Sequence, residues 1–181
     1  TQGANSAVLR YRPESVEDLN AEKPEDRVGG IPALFAKFAE QAGMEWSVHH
    51  ELRGGTTLDF HLNEKREAID RGWDVVVMQQ YSTLNPERPL DATDTRRDAP
   101  ALAALFTTAK PDVRVYLMST WSRADQTYKP NGHWYGKPVE TMALDLRREL
   151  DAVDAASEDI DAVIPVGEAW NAAMAAGIAD P

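Results

Sequence analysis

Asp74-Val75-Val76-Val77-Met78-Gln79-Gln80-Tyr81-Ser82 is the stretch that decides how this chain is read. Its apolar part is short, unbroken and mostly β-branched, which predicts a strand covered on both faces, the usual state in a parallel sheet. At Gln79 it turns abruptly polar, so side chains able to do chemistry stand at the strand's carboxyl end. Residues 113–118 repeat the pattern and end at Ser119-Thr120-Trp121, and a shorter apolar run at 162–166 ends before Gly167-Glu168. Between these runs the spacing changes to that of helices. A polar loop from 79 to about 98 leads into a helix ending at Lys110. A second loop, 122–138, leads into a helix carrying Met142, Leu146, Leu150 and Val153, and a last helix over 168–176 stops at Gly177.

Upstream, Leu58, Leu62 and Ile69 share one helical face, and residues 53–57 form a turn ahead of it. Alternation at Met44, Trp46, Val48 and His50 predicts a strand to about Leu52. Ile31, Leu34, Phe35, Phe38 and Ala42 predict a helix with Pro32 in its first turn and Gly43 as its stop. Residues 1–30 read as a long loop with a short helical turn near 15–19. The alternation of helices with buried strands predicts one α/β domain over 1–181, a three-layer α/β/α arrangement around a parallel sheet. In such sheets working groups gather beyond the carboxyl ends of the strands. Gly54-Gly55, the 79–82 segment, the 119–123 segment and Gly167-Glu168 each come after a strand and are expected on one rim.

The 181 residues suit one domain with a sizeable core. A formal net charge of −11 argues against a nucleic-acid partner, and no apolar stretch is long enough to span a membrane. With no cysteine, disulfides, thiolate metal sites and a cysteine nucleophile are excluded. There is no phosphate loop, no dinucleotide fingerprint and no G-x-S-x-G elbow, and no H-E-x-x-H or His/Cys cluster suggests a metal. His49-His50 lies in a strand with one ring directed to the core and one away, and reads as structural or exposed. The segment Lys129-Pro130-Asn131-Gly132-His133-Trp134-Tyr135-Gly136 is aromatic and glycine-rich, in the manner of ligand-binding loops.

Five segments together resemble the SGNH (GDSL-like) hydrolases. Gly-Gly-Thr-Thr-Leu-Asp-Phe-His at 54–61 is similar to the branch whose second block reads Gly-Gly-x-x-Leu-x-x-His. The stretch from Val75 to Ser82 resembles that branch's valine run ending Leu-Gln-Glu-x-Ser, with Gln80 where glutamate is common. Residues 120–125 match its Thr-Trp-x-Arg-x-Asp, residues 165–170 its Pro-Val-Gly-x-Ala-Trp, and residues 29–35 resemble the start of its first helix.

The resemblance implies a flavodoxin-like sheet and a serine esterase with no cofactor, acting on a small-molecule or carbohydrate ester, in an extracytoplasmic compartment. It implies a nucleophile in a Gly-Asn-Ser-Phe-like turn after a first strand, and a histidine in an Asp-x-x-His motif. Thr1-Gln2-Gly3 resembles the residues just past that serine, so the chain reads as cut at both ends, with both catalytic groups outside it and no esterase activity by itself. The chain would then carry the oxyanion side: a backbone N–H from Gly54, with Gly55 the alternative, and the side-chain amide of Gln79. A turn role for the glycines and loop-tying roles for Gln79 and Gln80 are the competing readings. His61, Gln80, Ser82, Trp121 and Arg123 would line the substrate pocket, unless Arg123 only pairs with Asp125. A non-catalytic module that binds a glycan or a protein is the rival function. A flavodoxin-like nucleotide or receiver domain also fits the alternation.

Overall fold

The computed structural model describes residues 6–180; Thr1-Gln2-Gly3 and Pro181 lie outside the described residues. The chain divides into two compact units, residues 1–56 with 67–69 and residues 57–66 with 70–181. The α/β class with parallel strands is as expected.

In the first unit a short helix α1 (Ser6–Leu9) and a 3-10 turn (Pro13–Ser15) precede strand β1 (Glu17–Asp18). Helix α2 (Gly30–Gln41) comes next, then strand β2 (His49–His50), which pairs parallel with β1. The helical turn expected at 15–19 is thus displaced: the 3-10 turn ends at Ser15, and Glu17 and Asp18 form a strand. Glu17 N–H donates to Val48 C=O and Leu19 N–H to His50 C=O, and these distant partners override local preference. The strand expected over 44–52 shortens to two residues, because β1 offers only two residues to pair with.

The second unit carries helix α3 (Leu58–Glu64), and the chain then runs through helix α4 (Arg66–Ile69). The single helix expected over 58–69 breaks at Lys65, whose ψ is near 6°. Strand β3 (Val75–Met78), helix α5 (Thr93–Ala109), strand β4 (Arg114–Met118), a single turn α6 (Ala124–Thr127), helix α7 (Thr141–Asp154), strand β5 (Ala162–Ile164) and helix α8 (Val166–Ala175) complete it. Helix α5 starts about five residues before its expected start, since Asp91 Oδ1 accepts the Thr93 N–H and so caps an orphan donor.

The sheet order is β3-β4-β5, all parallel. Register pairs Val76 with Val115, Met78 with Leu117, and Leu117 with Val163, so these side chains share one face. That face is the core: Met78, Val115, Leu117 and Val163 are buried with Leu102, Phe106, Leu146 and Leu150 of α5 and α7. Strand order follows chain order, so two right-handed crossovers place α5 and α7 on the same side. The opposite face carries Val75, Val77, Tyr116, Met118 and Ile164. Val75 is 37% and Val77 52% exposed. The expectation that this run is covered on both faces is thus corrected: within this unit both crossover helices serve one face.

The loops leaving the strands are fastened at short range. Ser122 Oγ accepts the Ala143 N–H in the first turn of α7. Gly167, in the first turn of α8, sits so close to the end of β4 that a Cβ there would lie 2.5 Å from Thr120 O and 2.9 Å from the Ala143 Cβ. Both obstacles are rigid, so Gly167→Ala is expected to destabilise the fold by about 1–3 kcal/mol. A thermal melt that leaves Tm unchanged would contradict this packing.

Candidate functional site

In the second unit the segments beyond β3, β4 and β5 come together as expected. Thr120 Oγ1 donates to Ser82 C=O at 3.1 Å, and Arg123 Nη1 to Ser82 Oγ at 2.6 Å. The rings of Trp121 and Trp170 lie 5.9 Å apart and tilted by 35°.

The two glutamines differ in their circumstances. Gln80 is buried, its Oε1 accepting the N–H groups of Leu58 and Tyr81 while its Nε2 donates to Thr95 Oγ1. Its polar atoms are engaged in tying the start of α3 to the loop. Gln79 is half-buried, and its carboxamide makes no hydrogen bond with any described residue. A neutral amide left in that state is a donor available to a ligand.

Ser82 is buried with its hydroxyl committed to Arg123. Arg123 grips Asp125 as a fork, Nε to Oδ1 at 3.0 Å and Nη2 to Oδ2 at 2.7 Å. Three of its five N–H groups are used and two remain. Burial alone would raise the Asp125 carboxyl, but hydrogen bonds from Arg123 and Gln126 outweigh it and hold the group below the usual carboxylate range. His61 stands edge-on to Phe60, ring centres 5.4 Å apart.

A cavity of about 270 Å³ opens beside Arg123. One wall is the loop after β3, with Tyr81, Thr83, Glu87 and two prolines, and the other is the segment after β4, with Gln126, Lys129, Asn131 and His133. Both walls are built firmly. Asn85 Oδ1 accepts the N–H groups of Glu87 and Arg88, Thr83 Oγ1 donates to Asn85 C=O, and Leu90 N–H closes on Thr83 C=O. On the other wall the fully buried Trp134 donates its indole N–H to Asp145 of α7. Trp121 and His61 do not line this cavity.

Four non-glycine residues in the described chain have left-handed φ, and three belong to these walls: Leu84 at 67°, Leu90 at 73° and Asn131 at 60°. For leucine this costs on the order of 1–3 kcal/mol, which persists only where the surroundings enforce it, and such positions cluster at binding sites. The glycine-rich 129–136 segment pointed to this cavity from sequence. The contribution of 83–90 was missed, because left-handed leucines have no signature in a single sequence.

In the first unit Gly54 and Gly55 occupy an exposed turn in which Thr56 Oγ1 donates to Arg53 C=O. Gly55 has φ +79° and is required by the turn, whereas a Cβ on Gly54 would meet nothing within 4 Å. His50 is buried, its Nε2 donating to Val28 C=O at 2.8 Å. His49 has Ser47 Oγ 2.9 Å from Nε2 and Glu17 Oε2 3.2 Å from Nδ1. Ser6 lies in α1, and its side chain is outside the described residues.

Among the described residues no three His, Asp or Glu side chains are arranged to hold a metal ion, and no helix is long and apolar enough to cross a membrane. No family model, curated protein or solved structure matches the chain.

This geometry makes two expectations measurable. The Asp125 carboxyl should titrate below the ordinary value of about 3.9 and return toward it in Arg123→Met, as read by NMR. Since the folded-state value is the depressed one, the pair's contribution is present above pH ~3.9 and is lost as pH falls through the lowered value. Gly55→Ala should cost about 1–2 kcal/mol in a denaturant melt, with Gly54→Ala near neutral; the reverse order would refute the turn assignment.

Proposed function

We propose that these residues form the oxyanion and pocket side of a serine esterase of SGNH type, which removes an acyl group from a carbohydrate alcohol through an acyl-enzyme. The observation that carries the reading is Gln79: half-buried at the carboxyl end of β3, its amide has no protein partner among the described residues while the neighbouring Gln80 is fully engaged. The matching blocks of the sequence support it, and the Gly54 amide role carries over from the same likeness. On this reading the serine and the Asp-x-x-His base belong to sequence outside the 181 residues.

The chemistry assigned to each group is specific. The serine hydroxyl adds to the ester carbonyl, its proton passing to the histidine and then to the departing alcohol; water repeats the sequence on the acyl-serine and releases the acid. As each tetrahedral intermediate forms, charge collects on the former carbonyl oxygen. Gln79 Nε2 donates to it, and being neutral and fixed in its donor role it does so across the working pH range. Arg123, held by Ser82 and Asp125, stiffens the loops that flank the reacting group.

The rival reading is a non-catalytic module that binds a glycan or a protein. The preformed cavity favours it equally, since binding needs walls but no nucleophile.

In the full-length protein Gln79→Ala should lower kcat on p-nitrophenyl acetate about 10²–10³-fold with little change in KM, and the 181 residues alone should show no turnover. Coding sequence lacking Gly-Asn-Ser upstream and Asp-x-x-His downstream would leave the binding module. Turnover by the 181 residues that disappears in Ser47→Ala would place the nucleophile in the Ser47–His49–Glu17 series and overturn the esterase reading as stated.

A further inference from the structure

The cavity between the loops after β3 and β4 has a chemistry of its own. At about 270 Å³ it holds roughly nine waters, at about 30 Å³ each. That is room for one sugar ring and falls short of the volume of most drug-sized ligand pockets. Its walls offer both donors and acceptors: the Gln126 and Asn131 carboxamides, the Glu87 carboxylate, the His133 imidazole and the Tyr81 phenol. Such a mixture suits several hydroxyl groups better than an acyl chain.

The charges narrow the class further. Most described cations in this acidic chain are matched by a carboxylate, Lys37 by Glu40 and Lys110 by Asp74 and Asp112 for example. Lys129, on the cavity wall, has no carboxylate partner among the described residues. Arg123 beside it keeps two N–H groups after binding Asp125 and Ser82. Lys129 and Glu87 both line the cavity without an ion pair among the described residues, so the ammonium is available to one ligand carboxylate and the Glu87 carboxylate to ligand hydroxyls. Once Asp125 is set against Arg123, the lining is formally neutral. A phosphate dianion would bring two negative charges into that neutral lining beside Glu87, where a sugar acid brings one. The left-handed Leu84, Leu90 and Asn131 hold the walls in this form before any ligand arrives.

We propose that this cavity is a binding site for a monosaccharide-sized polyhydroxy carboxylate, a sugar acid, with Lys129 and the free N–H groups of Arg123 taking the carboxylate and Glu87, Gln126 and Asn131 taking hydroxyls. That the sugar acid is the alcohol part of the ester substrate rests on the esterase reading; the binding itself does not.

The test is an amide NMR titration of the 181-residue protein with D-glucuronate, D-glucose, acetate and inorganic phosphate. Glucuronate should shift amides within 81–90 and 123–133 and bind at least about tenfold tighter than glucose or acetate, the worth of one good charge-assisted contact. Lys129→Met should bring glucuronate down to the glucose level, with glucose itself unaffected. Glu87→Gln should weaken glucose and glucuronate alike. A dispersed amide spectrum shows that each exposed-loop variant is folded.

Equal affinity for glucuronate and glucose overturns the proposal. So do acetate or phosphate binding as tightly as glucuronate, a Lys129→Met variant that keeps the preference, shifts confined to other parts of the chain, and no binding of any of the four. Binding is read without turnover, so loss of the esterase reading and loss of this site are separate results.

Discussion

Parallel pairing of β3, β4 and β5 in a single register brings every succeeding segment to the same rim, and the site depends on that constraint. Three strands of four, five and three residues are short, so their ends alone would leave the loops free to diverge. The hydrogen bond from Arg123 to the Ser82 hydroxyl, joined by that from Thr120 to the Ser82 carbonyl, fastens the first two loops to one another. Gly167 fastens the third by letting α8 begin against the Thr120 carbonyl. A guanidinium suits the central place because one rigid plane can bind a hydroxyl and grip a carboxylate together.

The same economy explains which polar groups are available. Ser82, Gln80, Ser122 and Thr120 look as functional in sequence as Gln79 does, yet each is engaged in holding the loops or helix starts in place. Buried polar groups left unpaired are costly, so a rim built from loops must use several of its polar side chains internally. The smaller set left for a ligand comprises the Gln79 amide at the end of β3, the residual donors of Arg123, and the groups around Lys129. The two left-handed leucines lie in the same neighbourhood, their backbone enforced by closed turns.

In the second unit the crossover helices cover the sheet on one side only. Because strand order follows chain order, successive crossovers stack on one face, and the other face keeps Val75 and Val77 exposed. Their side chains stay on the uncovered face however apolar the run is, since the pleat fixes direction residue by residue. This is why a continuous apolar run, which normally signals burial on both sides, here marks a strand covered on one.

Periodicity and turn chemistry in the sequence by themselves determined the α/β class, strands within 74–78, 113–118 and 162–166, the helices after them, and the gathering of the polar segments beyond β3, β4 and β5. Those are local properties, set by side-chain spacing and by where apolar runs stop. Tertiary structure alone decided the rest. Glu17 and Asp18 became a strand because Val48 and His50 supplied backbone partners, Gly55 and not Gly54 took the left-handed turn position, and Gln80 was engaged while Gln79 was left available. Each of these depends on a partner distant in sequence or on a backbone angle, and neither is written in the identity of the residue.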